Sequence, residues 1–200
     1  YGMTETGMNT SNPLDGPRHG GTVGPPLSGV SVRIVGDDGV PCAPGAIGAI
    51  QVKGPNVLKG YWNLPEKTRE EFTADGWFRT GDMGEWTPEG YVRIVGRAKD
   101  LIITGGLNVY PKEIEERIDA MDGVAESAVI GIPHPDFGEA VIAVVVAKVG
   151  HTLTEASIIG ALKAEIANFK VPKRVVFAAD LPRNSMGKVM KAALREKFAR

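Results

Sequence analysis

Residues 96–111, Gly-Arg-Ala-Lys-Asp-Leu-Ile-Ile-Thr-Gly-Gly-Leu-Asn-Val-Tyr-Pro, divide the chain into two parts with different hydrophobic patterns. A linker accounts for the glycines and polar residues, because few contacts cross a linker. It does not account for the apolar run 101–103, set between the basic pair Arg97 and Lys99 and the glycine pair Gly105 and Gly106. The alternative is a hinge that also carries chemistry.

Upstream of this stretch the pattern is strand-rich. Val30, Val32 and Ile34 alternate with Ser31 and Arg33, and Gly36-Asp37-Asp38-Gly39 supplies a tight reversal. Ile47, Ile50 and Val52 continue the strands, and the prolines 25, 26, 41 and 44 keep the connections irregular, which suits a small twisted barrel or sandwich. Pro65 opens a short helix over 63–72. A hairpin follows, with strands 83–87 and 91–95 joined by Pro88-Glu89-Gly90, and Asp82 is expected where a strand enters it.

Downstream the period changes. Ile114, Ile118 and Met121 recur at helical spacing after Pro111. Residues 124–132 and 140–149 read as strands, and Thr152 with Glu155 reads as a capping box for a helix carrying Ile158, Leu162, Ile166 and Phe169. A strand at 174–178 and a last helix bearing Met190, Leu194 and Phe198 complete a compact α+β domain. Before that helix stands Gly187-Lys188. A lysine there is ordinarily a solvated surface charge, but a cation gains nothing from a helix N-terminus, and the pair reads as a projecting charge aimed at an anion.

Composition limits the partners. With 23 basic and 24 acidic residues the net charge is -1, so no basic excess points to nucleic acid or an acidic membrane. The single cysteine, Cys42, excludes an internal disulfide framework and a cysteine-rich zinc site, which makes a cytoplasmic setting the default. The longest apolar run, 140–147, is far short of the roughly 20 residues of a membrane helix. Tyr1 opens the chain inside what reads as a motif, with no initiator methionine, so the chain reads as a piece of a longer protein.

Four ordered motifs carry a resemblance: Tyr-Gly-Met-Thr-Glu at 1–5, Phe-Arg-Thr-Gly-Asp at 78–82, Gly96-Arg97 with the Gly105-Gly106 loop, and the segment from Pro182 to Gly187-Lys188. Together they resemble the later signature motifs of the adenylate-forming acyl-CoA synthetases, over essentially the whole chain. Residues 8–13, 21–24 and 132–139 further resemble the malonate–CoA ligase branch of that family. The resemblance implies that residues 1–98 are the end of a large domain with a small β-barrel portion, and 99–200 a small mobile α+β domain. It implies a ligase joining an acid, here malonate, to coenzyme A through an acyl-adenylate. Another short-chain, aryl or fatty acid is the alternative within the class, and a non-catalytic binding module the alternative outside it. The family's upstream phosphate-binding loop lies outside these residues, so the chain alone is expected to be inactive.

The same resemblance implies roles by position. Thr4, Glu5 and Lys188 would be catalytic, with Glu5 on Mg²⁺, Thr4 and Lys188 on the α-phosphate of ATP, and Lys188 also on the acid. Tyr1 would stack on adenine, Gly2 would adjoin the nucleotide, Asp82 would hold the ribose diol, and Arg97 would serve ribose and phosphate. Lys99 would be the pivot that replaces Lys188 by the coenzyme A loop of Gly105, Gly106 and Leu107. Met8, Ser11 and Arg18, with His19, are the candidates for contact with the acid. Lys188 also lies in a context resembling that of a lysine acetyltransferase target.

Overall fold

A computed structural model describes residues 1–199 of the chain. It divides between Lys99 and Asp100 into two units.

The first unit opens with a small antiparallel hairpin, β1 (Gly2–Met3) against β2 (Gly7–Met8). Its main sheet contains β3 (Ser31–Val35), β4 (Gly48–Lys53), β5 (Phe78–Trp86) and β6 (Val92–Arg97), antiparallel in that order, with α1 (Pro65–Glu71) between β4 and β5. Ile34, Ile50, Val52 and Val92 form its buried cluster. Arg33 stays half-buried because its guanidinium lies 4.5 Å over the Trp77 ring while bonding Gln51 and Asp75. The α+β class expected from the sequence is present. The strand-rich part is an open four-stranded sheet, with no closed barrel among the described residues.

Residues 98–100 form one 3₁₀ turn. The second unit then contains β7 (Ile102–Thr104), β8 (Leu107–Val109), α2 (Pro111–Asp119), β9 (Val124–His134), β10 (Gly138–Ala147), α3 (Glu155–Glu165), β11 (Arg174–Phe177) and α4 (Lys191–Phe198). β10 is the central strand, antiparallel to β9 and parallel to β11. Val141, Ala143 and Val145 pack with Ile114, Ile118, Ile158 and Leu162 on one face, while Ile142 and Val144 pack with Leu181 and Leu194 on the other. Burial on both faces explains the unbroken apolar run 140–147. No helix among the described residues is long and apolar enough to cross a membrane.

Three local expectations are corrected. The capping box of α3 is Thr154 with Ser157, not Thr152 with Glu155, because the Glu155 carboxylate instead accepts from the Val175 N–H at 3.1 Å. The helix also ends at Glu165, so Ile166 and Phe169 reach the core from the segment beyond it. Asp82 lies in the middle of β5, which starts earlier than the hairpin pattern suggests.

Candidate functional site

The register of β5 and β6 sets Asp82 opposite Arg97. Arg97 Nε lies 2.7 Å from Asp82 Oδ1, and the Tyr1 hydroxyl donates to Oδ2 at 2.5 Å. The Asp82 N–H donates to Thr80 Oγ1 at 3.1 Å, and that hydroxyl donates to the Ile50 carbonyl at 2.8 Å. Asp82 is buried, and a buried carboxylate is tolerated only with such partners. Burial, then the bond to Asp82, pushes the Tyr1 phenol above its usual range and keeps it a donor. The Tyr1 ring packs against the core of the first unit, so part of its surface is structural. An ionised carboxylate has about four acceptor positions, of which Tyr1 and Arg97 occupy two. The Arg97 side chain is 45% exposed and retains further donors.

Thr4 and Glu5 sit at the turn between β1 and β2, Thr4 exposed and Glu5 half-buried. Gly2 is required here because a Cβ would run into the Gly7 carbonyl. Residues 56–61 hold this turn. Asn56 Nδ2 donates to the Thr6 carbonyl at 2.7 Å and to Asn9 Oδ1 at 3.1 Å, the Leu58 N–H donates to the Glu5 carbonyl at 2.8 Å, and the Tyr61 hydroxyl donates to Glu5 Oε1 at 3.3 Å. Asn56 and Tyr61 were missed from sequence, since they stand some fifty positions away and neither belongs to a motif. Among the described residues no cluster of three or more His, Cys, Asp or Glu could hold a metal ion. Glu5 is a single carboxylate, which fits Mg²⁺ only where substrate oxygens and water complete the shell, as that cation favours.

The candidates for the acid fall on one segment. Met8 is 57% exposed, Ser11 and Arg18 are exposed, and His19 packs edge-on against the Tyr91 ring with centroids 4.5 Å apart. The Tyr91 hydroxyl donates to the Pro17 carbonyl at 2.8 Å, and Asn12 Nδ2 donates to the Thr22 carbonyl at 3.0 Å, so this segment is pinned at both ends.

In the second unit Gly105 and Gly106 form the two-residue turn between β7 and β8, with φ of 56° and 78°. Positive φ at both positions explains the pair, and a Cβ on either would meet nothing within 4 Å. The Gly105 N–H donates to the Phe137 carbonyl and the Ile103 N–H to Glu139 Oε2, each at 2.8 Å. Leu107 is 47% exposed beside this turn. Lys188 is exposed on a second tight loop, in which Asn184 Oδ1 accepts from the N–H groups of Met186 and Lys188, each at 3.0 Å. Lys99 is exposed within the 3₁₀ turn.

Family models place these features in a class. One described as AMP-binding enzyme matches residues 1–62, and one described as AMP-binding enzyme C-terminal domain matches 113–188. The chain belongs to the AMP-binding enzyme family, the adenylate-forming enzymes. Among solved structures it is similar to ATP-bound MatB from Rhodopseudomonas palustris, at 60% identity and a TM-score of 0.94, over 100% of this chain and 40% of that one. Among curated relatives it is 45% identical to the indoleacetate–CoA ligase of Aromatoleum aromaticum, over 100% of this chain and 39% of the relative. It is 44% identical to the sulfoacetate–CoA ligase of Cupriavidus necator, over 96% of this chain and 38% of the relative. The chain thus spans about two fifths of the length of these relatives.

Proposed function

We propose that the chain serves as part of an ATP-dependent acid–CoA ligase, with malonate as the acid. The observation that carries the nucleotide assignment is the Asp82 carboxylate, buried between Tyr1 and Arg97 yet with acceptor positions to spare. A vicinal diol donates well to such a carboxylate, and the remaining donors of Arg97 suit a phosphate. In this reading the acid's carboxylate oxygen attacks the α-phosphorus of ATP, the bond to pyrophosphate breaks, and an acyl-adenylate results. Coenzyme A then displaces AMP.

Both partners of the first step are anions, so the main task is to neutralise charge at the reacting atoms. Lys188 bridges the acid and the α-phosphate and Thr4 donates its hydroxyl there, while Glu5 is the residue that would hold Mg²⁺, whose charge would offset that of the phosphates. Lys99 is the pivot by which the Gly105–Gly106 turn takes the place of Lys188 for the thiol step. Acetylation of the exposed Lys188 would remove its charge and stop the first step.

The malonate assignment rests on residues 8–13, 21–24 and 132–139, which resemble malonate–CoA ligases. A panel of malonate, acetate, octanoate and indoleacetate with the whole protein tests it. Malonate is expected to give the highest kcat/KM, and faster turnover of another acid removes the malonate assignment while keeping the ligase.

A further inference from the structure

The geometry points to Arg183 as a positioning residue for Lys188, an inference that rests on the proposed role of Lys188 in the adenylate-forming step. Arg183 sends its two terminal nitrogens to different acceptors. Nη1 donates to the Gly187 carbonyl at 2.7 Å, and Nη2 pairs with Glu126 Oε2. Glu126 lies on β9, whose backbone is fixed by its long pairing with β10. The Gly187 carbonyl belongs to the peptide unit that enters Lys188. A continuous path thus runs from a sheet strand, through a carboxylate and a planar guanidinium, to the backbone that carries the lysine.

The rest of the loop makes this path necessary. Residues 183–188 are exposed, and packing holds the loop only at its base, where Leu181 and Val189 join the core. Left unrestrained, such a segment loses conformational entropy whenever it is ordered. The loop closes on itself through the Asn184 N–H to the Lys188 carbonyl at 3.0 Å, the Gly187 N–H to the Asn184 carbonyl at 2.9 Å, and the Asn184 side chain described above. Those bonds define the shape of the loop but do not tie its tip to the sheet. Among the side-chain bonds of the loop, the one from Arg183 to Glu126 leads out to the sheet. Only a forked donor can serve both acceptors in fixed geometry, which lysine cannot do.

The two half-reactions separate this role from general stabilisation. The readouts are malonate-dependent ATP–pyrophosphate exchange, and thioester formation from supplied acyl-adenylate and coenzyme A, both with the whole protein. If malonate is not the fastest acid of the panel above, that acid replaces it. Arg183→Lys and Arg183→Gln should slow exchange by about 10- to 100-fold, the scale expected when a reacting group is displaced by about an ångström. Thioester formation, which does not use Lys188, should stay within about twofold. Glu126→Gln leaves the Arg183 charge in place and removes only its ionic anchor, so it should slow exchange by a smaller factor in the same direction.

Equal losses in both half-reactions would make Arg183 merely structural and overturn the inference. Full exchange in Arg183→Lys, or faster exchange in Glu126→Gln, would assign Arg183 a role through its charge and would also overturn it. Lys188→Ala is the control. If it abolishes exchange while the Arg183 variants do not, the positioning role fails and the reading of Lys188 stands. If Lys188→Ala exchanges normally, the reading of Lys188 fails and the inference falls with it.

Discussion

Asp82 shows what a single residue's surroundings decide. Its type and the Gly81-Asp82 pair were visible in the sequence, but a turn aspartate looks the same there. Folding makes the difference, because register sets it against Arg97 and the chain returns Tyr1 to it from 81 positions away. Tyr1→Phe leaves one Asp82 oxygen short of a partner and should cost about 1–3 kcal/mol in denaturant unfolding. Asp82→Asn should bring the Tyr1 phenol titration, followed by ultraviolet absorbance, back toward 10. The sign for pH follows from a folded pKa raised above the unfolded one. The phenol's contribution is fully present below about pH 10 and is lost as the pH rises through the higher folded value.

Elements were the most legible scale where the signal was local. Pro65 and Pro111 do open α1 and α2, and the glycine pair does form a turn. The reason for the glycines could not be read from the letters, since a crowded backbone and a positive φ both select glycine. Positive φ at Gly105 and Gly106 is by itself enough to select glycine. Gly106→Ala should therefore destabilise the β7–β8 turn by about 1–2 kcal/mol. Gly106→Asn should cost less, because asparagine tolerates the left-handed region. Unfolding midpoints of the two variants check the order. The cap of α3 was misplaced because Thr152-to-Glu155 matches the box pattern, while the Val175 N–H that engages Glu155 lies on β11.

At the scale of the whole molecule, the chain has two units with their own cores, one around Ile34, Ile50, Val52 and Val92, the other on both faces of β10. Separate cores predict more than one unfolding transition rather than a single two-state event. Leu162 is fully buried in the second core, so Leu162→Ala should cost about 2–5 kcal/mol there. Differential scanning calorimetry should show one transition lowered and the other unmoved. A common shift of both would mean that the units unfold together.

By itself the sequence determined where strands give way to a mixed α+β pattern, which prolines open helices, and which residues carry charge at glycine-marked turns. These follow from short-range sterics and from periods that a few neighbouring residues define. Tertiary structure alone decided which groups meet. Tyr1 with Asp82, Asn56 with Thr6, Tyr61 with Glu5 and Arg183 with Glu126 are each separated by 50 positions or more. Such contacts depend on strand register and sheet order, which are set by the burial of whole faces and leave no local mark on the residues that come together.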